Sequence, residues 1–319
     1  MPKSAQQRPA TAAAGAAAAS TAQDVAEGVA EGVAKASAQA PATIVFSHAN
    51  GFPAGTYRLL FEAWRAQGWR VEALPLLGHD PAHPVTSNWP QVRDELLAFI
   101  DRVAPEQRVH LVGHSLGGYL SLLAASRKPQ RVASVVLIDS PVLTGWRAHS
   151  VQVFKATGLI KRVSPGHVSK RRRWQWPSAQ AALAHLAGKR VFARWQPEVL
   201  RDYVACGTEP DPDTAPTAEA PDPVRLVFRR DVETRFYNSL PHHMGALFAR
   251  HPVRAPVAFI GGTQSVENRQ VGLAATRAIT HGRMSWIEGS HLFPMEKPDE
   301  TATEVLKQLT LLGARPLPE

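Results

Sequence analysis

Short apolar runs alternate along much of this chain with stretches in which apolar side chains return every three or four positions. Thr43-Ile44-Val45-Phe46-Ser47 reads as a buried strand, and residues 55–67 as a helix with Leu59, Leu60, Phe61 and Trp64 available for one face. Residues 69–74 predict a second strand. Residues 89–103 predict a helix, capped by Ser87 or Asn88 and opened by Pro90. A third apolar run, Val109-His110-Leu111-Val112, is followed by a helix-like stretch from Tyr119 to Ala125. The β-branched run from Val132 to Ile138 ends at Asp139. Strands separated by helices predict an α/β fold built on a doubly wound, mostly parallel sheet.

The alternation stops near Val142. Residues 142–240 hold helix-like segments, the tryptophans Trp146, Trp174, Trp176 and Trp195, and an acidic, Pro-rich loop, Glu209-Pro210-Asp211-Pro212-Asp213, expected at the surface. The sheet pattern resumes at Pro256-Val257-Ala258-Phe259-Ile260-Gly261, with a helix over 267–279, a strand over 284–287 and an amphipathic helix over 300–312. The middle segment therefore reads as a helical lid, 142–240, inserted between two parts of one core, 41–141 and 241–319. The lid tryptophans and Phe154 either line an apolar acyl or aromatic pocket or pack the lid onto the sheet. No internal repeat is evident.

Residues 1–40 are rich in Ala, Gln, Gly, Ser and Thr and poor in large apolar side chains, so burial cannot offset their ordering entropy. They read as a disordered or loosely helical tail. Asp24, Glu27 and Glu31 interrupt it, and it lacks the apolar centre of a secretory signal.

The 319 residues, 44% of them hydrophobic, suffice for one large domain with an insertion. A single cysteine, Cys206, excludes an internal disulfide framework and suits a reducing compartment, so a cytoplasmic location is expected. No run approaches the roughly 18 apolar residues of a membrane span, so no stable membrane insertion is expected. The net charge is +9, concentrated partly in Lys161-Arg162 and Lys170-Arg171-Arg172-Arg173. Such a run can serve nucleic acid or an anionic membrane. This one is short and lacks interleaved glycines or an RNA-binding motif. It reads as a solvated helix face, and no nucleic-acid partner is expected.

The chemistry concentrates at Gly113-His114-Ser115-Leu116-Gly117-Gly118, between the third strand and its helix. Strand, G-x-S-x-G and helix together describe a nucleophile elbow, a turn so tight that the serine's neighbours must be small. Such a turn lifts the Ser115 hydroxyl above the sheet edge and aims the first N–H groups of the helix at a developing oxyanion. Serine needs a base. The best candidate among 13 histidines is His291, in a loop after the last strand and before the last helix. The third member should accept a hydrogen bond from that base. Asp139, at the end of the strand after the elbow, is preferred. Glu267, in the loop Gly261 to Glu267, is the alternative. One oxyanion donor is the Leu116 N–H. The other is assigned to Asn50 in Ser47-His48-Ala49-Asn50-Gly51-Phe52-Pro53, with Gly51 and Phe52 as neighbouring alternatives. Tyr119, His114 and Phe52 lie next to this site in sequence. His242-His243 and the pair His79 and His83 lack convergent ligands at a zinc spacing, so no metal is assigned.

Residues 42–140 and 255–312 resemble an α/β-hydrolase, in the style of small bacterial ester hydrolases. The stretches that carry the resemblance are His48 to Gly55, Gly113 to Gly118 and Gly289 to His291. The resemblance implies an α/β-hydrolase fold with the nucleophile before the histidine in the chain. Some of those esterases take their acid from the strand after the elbow and carry Gly-Gly-x-Ser in the later loop. A similar arrangement here favours Asp139. Two usual opening strands have no counterpart, so a sheet of fewer than eight strands is expected. An aspartate nucleophile, as in haloalkane dehalogenases and epoxide hydrolases, is excluded by Ser115. The expected activity is a serine hydrolase of carboxylic esters or thioesters acting through an acyl-enzyme, with a small-molecule ester or acyl substrate and no metal or organic cofactor. The same scaffold serves carbon–carbon bond hydrolases, lactonases, acyltransferases and non-catalytic ligand-binding proteins.

Overall fold

Six strands form one all-parallel sheet in the order β2-β1-β3-β4-β8-β9: β1 (Thr43–Ser47), β2 (Arg70–Ala73), β3 (Val109–His114), β4 (Val132–Ile138), β8 (Val257–Gly262) and β9 (Met284–Ile287). These are the strands expected from the apolar runs, and among the described residues the sheet has six, fewer than eight. The computed structural model describes residues 42–157 and 166–315. The expected tail at 1–40 and the pair Lys161-Arg162 lie outside the described residues.

β1 and β4 are buried almost throughout, as strands covered on both faces must be. One apolar layer joins Leu96, Ile100, Leu120 and Leu123 to Val135 and Phe259. The other joins Ile44, Phe46, Trp64, Val136, Val305 and Leu309. The helix after β3, Leu116–Arg127, buries nearly every residue, consistent with its all-round apolar sequence. The chain runs from β1 outward to β2 and returns to β3 on the other side of β1. The carboxyl ends of β1 and β3 therefore flank the point where the winding reverses, where open α/β sheets bind ligands.

The register delivers four loops to that edge. Ser47 pairs with Gly113, His114 with Ile138, Ile138 with Ile260, and Gly262 with Ile287. The residues that follow, from Ser115, Asp139, Thr263 and Glu288, emerge side by side. β4 and β8 are neighbours in the sheet, so everything between them is inserted above this edge.

That insertion is not purely helical. It contains a three-stranded antiparallel sheet, in the order β5-β7-β6: β5 (Gln175–Trp176), β6 (Thr208–Pro210) and β7 (Val224–Leu226). Strands of two or three residues carry no readable period. By its contacts Ala42–Glu319 forms one compact unit. Trp176 and Trp195 are buried with the residues of one sheet layer, and Phe228 and Phe236 with those of the other. The packing alternative therefore holds for Trp176 and Trp195, while Phe154 is 36% exposed. The loop 209–213 is largely at the surface, but Asp211 is buried and accepts hydrogen bonds from Gln175 and Thr214.

Three helices differ in detail. Residues 54–57 form a 3-10 turn ahead of the helix Arg58–Arg65. The expected helix over 267–279 is broken at Gly272 (φ 73°) into Val266–Val271 and Ala274–Ile279. The helix Pro90–Val103 has Trp89 at its N-cap in the left-handed region (φ 59°), with no side-chain cap. Asn88 is diverted: its Oδ1 accepts from the His242 N–H at 3.1 Å, and the Trp89 Nε1–H donates to Ser239 Oγ at 2.9 Å. Cap residues tie the end of the insertion to the core instead of closing the helix. Among the described residues, no helix is long and apolar enough to cross a membrane.

Candidate active site

Three glycines make the turn around Ser115 possible. A Cβ on Gly117 would lie 1.9 Å from the Ser47 carbonyl oxygen, one on Gly113 2.3 Å from Gly117, and one on Gly118 2.2 Å from Ser140 Oγ. The end of β1 is thus pressed against the start of the elbow helix. Ser115 itself takes φ 53° and ψ −113°, a strained backbone for a residue with a side chain. Its N–H donates to Ile138 O at 2.9 Å, and its carbonyl accepts from Ser140 Oγ at 2.8 Å, which hold the turn.

His291 comes from the loop after β9. Its Nε2 lies 3.0 Å from Ser115 Oγ, and its Nδ1–H donates to Asp139 Oδ2 at 2.6 Å. Asp139 is fully buried at the end of β4. Its Oδ1 accepts from the Gly262 N–H and from Asn268 Nδ2, both at 2.7 Å, and its Oδ2 also accepts from Ser265 Oγ at 2.6 Å. Both carboxylate oxygens are therefore occupied, and the group is fixed in place. Glu267 stays further off, 3.8 Å from His291 Nδ1, with its side chain 45% exposed. It sits in the first turn of Val266–Val271, where Ser265 is the N-cap and accepts from the Asn268 N–H. Asp139, Glu267 and His291 gather ligand-type atoms within 4.8 Å of one another. The four donors on Asp139 and the Ser115 contact of His291 already use the atoms a cation would need.

Burial alone would lower the pKa of His291. The hydrogen bond to Asp139, the Asp139 charge and the Glu267 charge outweigh it and raise the imidazole above its ordinary value. Beneath it lies His114, fully buried, its pKa lowered to about 3 by burial and the neighbouring His291. Its Nε2 donates to the His291 carbonyl at 3.0 Å, and its Nδ1 accepts from Tyr57 OH at 2.7 Å. Tyr57 OH in turn accepts from the Ala49 N–H at 3.2 Å. A buried chain of hydrogen bonds thus runs from the loop after β1 to the backbone of His291. His114 supports the site from behind instead of lining it.

Asn50, Leu116, Ser115 and His291 line one cavity of about 550 Å³. Its apolar walls include Phe52, Trp89, Tyr119, Phe236, Leu240 and Val271. The loop carrying Asn50 is held from several sides. His48 Nδ1 donates to Ala49 O, and the Leu77 N–H donates to His48 Nε2, both at 2.8 Å. Burial lowers the His48 pKa to about 4. Asn50 Nδ2 donates to Glu233 O at 3.1 Å, which docks the insertion on this loop.

Arg172, part of the basic run expected to be solvated, pairs instead with the buried Glu233 at 3.0 Å. His79 uses both ring nitrogens, donating to Leu77 O and accepting from the Arg229 N–H. His83 pairs with Asp80, and His242 lies 3.1 Å from Lys155.

Sequence reasoning missed Asn268, Tyr57, Glu233 and Arg172. Ser265 was partly visible, lying one residue beyond the Gly-Gly-x-Ser spacing. Asn268 carries no signal of its own, because its role depends on the helix start that Ser265 caps.

The chain resembles known hydrolases in sequence and in fold. It is 30% identical over 132 residues to monoglyceride lipase of Rattus norvegicus, covering 39% of this chain and 44% of the relative. It is 37% identical over 98 residues to the "Probable esterase PIR7A" of Oryza sativa subsp. indica, covering 30% and 37%. The chain thus spans less than half the length of these curated relatives. The solved structure of E-2-(acetamidomethylene)succinate hydrolase superposes with a TM-score of 0.63 at 20% identity, covering 85% of this chain and 91% of that one. At that identity the likeness concerns the fold. The sequence pattern of the alpha/beta hydrolase family matches residues 44–304, and the chain belongs to that family.

Proposed function

We propose that this protein is a serine hydrolase that cleaves carboxylic esters or thioesters through an acyl-enzyme. The observation that carries this reading is the continuous contact from Asp139 through His291 to Ser115, at 2.6 Å and 3.0 Å, in one cavity. The ester-cleaving names of the curated relatives agree with it.

In the proposed reaction the substrate carbonyl lies against Ser115 Oγ, with its acyl chain along the apolar wall. His291 Nε2 takes the hydroxyl proton as Oγ attacks, while Asp139 holds the Nδ1 tautomer and offsets the imidazolium charge. The N–H groups of Leu116 and Asn50 stabilise the tetrahedral oxyanion. His291 returns the proton to the leaving alcohol or thiol. Water then enters and attacks the acyl carbonyl as His291 takes its proton, and His291 returns that proton to Ser115 Oγ as the acyl–Oγ bond breaks and the acid leaves.

A short nitrophenyl ester tests the reading. The protein should release nitrophenol steadily, and Ser115→Ala should lower kcat by roughly 10⁴-fold or more. Undiminished turnover in that variant overturns the assignment of the nucleophile.

A further inference from the structure

Next to the Ser115 cavity lies a second cavity of about 440 Å³ with contrasting chemistry. Trp176, Phe192 and Tyr203 form part of its wall, and Arg171, Arg173 and Lys189 bring three positive charges to it. No Asp or Glu lines it. The fourth cation, Arg172, has its charge offset by Glu233, whereas among the described residues none of the other three is in an ion pair. Arg173 stands 5.9 Å from the centre of the Trp176 ring. His185 has its pKa lowered by desolvation and by the charges of Lys189 and Arg173.

A neighbouring cationic cavity around Trp174 serves as the contrast. There Arg225 is paired with Glu209 and Asp213, and Arg229 with Asp231. Its other two cations, Lys170 and Arg230, are in no ion pair among the described residues, so half of its positive side chains are offset within the protein. The cavity at Trp176 keeps its charge for something else.

The two cavities share a wall. Val191 lines both. Phe52 on the Ser115 side packs against Tyr203 on the basic side, ring centroids 5.6 Å apart. A Cβ on Gly51, beside Asn50, would lie 3.6 Å from Arg172 Nη1. A molecule whose acyl carbonyl sits at Ser115 can therefore extend its leaving group over Val191 toward three unneutralised cations. A concave pocket with aromatic walls and unpaired cations suits a compact polyanion with an organic body.

We propose that the Trp176 cavity is an anion subsite for the leaving group, so that the favoured substrates are acyl esters or thioesters of a phosphorylated alcohol or thiol. This proposal rests on the hydrolase reading above for its substrate, but the binding of the anion does not depend on turnover.

The test compares butyryl-coenzyme A with butyryl-N-acetylcysteamine, which present the same acyl group and thioester with and without phosphates. The kcat/KM ratio should favour the phosphorylated thioester by roughly tenfold or more. It should fall toward one in the triple variant R171A/R173A/K189A. A control that removes the same charge elsewhere, R102A/R127A/R254A, should keep the wild-type ratio. In parallel, calorimetry with S115A protein should register inorganic pyrophosphate, and the binding should disappear when the three cations are also replaced. A wild-type ratio near one together with no pyrophosphate binding overturns the subsite while leaving the hydrolase reading intact. Pyrophosphate binding that depends on the three cations, with neither thioester cleaved, upholds the subsite and counts against the hydrolase reading. Adhesion to phosphatidylglycerol vesicles without pyrophosphate binding also overturns the proposal and assigns the cations to a membrane surface.

Discussion

His291 Nε2 lies 3.0 Å from Ser115 Oγ, although 176 positions separate the two residues in the chain. Neither loop achieves this alone. The glycines of the elbow fix one partner, and the other is held by a carboxylate below its ring and a carbonyl contact from His114 beneath its backbone.

The partner of His291 should be separable by substitution. Asp139→Asn keeps the size of the group but no longer dictates the tautomer, and it should lower kcat by about 10⁴-fold. Glu267→Gln, at 3.8 Å and half exposed, should lower it less than about tenfold. Steady-state kinetics on a nitrophenyl ester distinguish them. Equal, small losses in both variants would remove Asp139 from the role.

The pH profile follows from the raised pKa of His291. A general base must be neutral, so kcat/KM should rise with pH and reach half its plateau above the ordinary histidine value of 6.5. Removing the Asp139 charge removes a principal cause of the raised value. The midpoint in Asp139→Asn should therefore move to lower pH, even though the plateau drops. A midpoint that stays put, measured across the acid limb, contradicts the electrostatic account.

Much of this arrangement was legible in the sequence. The spacing of Gly113, Ser115 and Gly117 between an apolar run and a helix-like run is specific, because steric demand at each glycine leaves few alternatives. His291 could be found by its place between the last strand and the last helix. Asp139 is preferred to Glu267 from its place at the end of a strand, but the setting of its carboxylate could not be read from the residues alone. It depends on the pairing of Ile138 with Ile260, which sets Asp139 beside Gly262 and turns both of its oxygens toward donors. The insertion resisted reading for a different reason. Its strands are two or three residues long, and Arg172 gives no sign in sequence that Glu233, sixty-one positions on, will bury beside it.

The turn should not tolerate a methyl group. In Gly117→Ala the new Cβ would meet the backbone carbonyl of Ser47 at 1.9 Å, and backbone cannot swing aside as a flexible side chain can. Chemical denaturation should show a loss of about 3 kcal/mol or more, with activity falling in step as β1 is pushed away from the elbow. Wild-type stability in this variant would mean that the contact between Ser47 and Gly117 is misdescribed.

Glu95 gives a stability test away from the site. It is buried on the helix Pro90–Val103 and accepts from the Gly78 N–H at 2.9 Å. Burial raises its pKa from 4.5 to about 7. The folded state therefore holds a proton that the unfolded chain has lost, so this contribution is complete below pH 4.5 and disappears as pH rises through 7. Glu95→Gln keeps the acceptor and removes the charge, and it should stabilise the protein above that pH by about 2 kcal/mol. Denaturation midpoints measured at pH 4 and pH 8 should show the gain at the higher pH alone.

Covalent capture of the nucleophile reaches the centre of the account. Protein treated with a fluorophosphonate and digested should yield one modified peptide in mass spectrometry, with the adduct on Ser115. The adduct should be absent in Ser115→Ala and should form far more slowly in His291→Ala. Native protein that stays unmodified at Ser115, or that reacts equally fast without His291, contradicts the claim that the imidazole activates this hydroxyl.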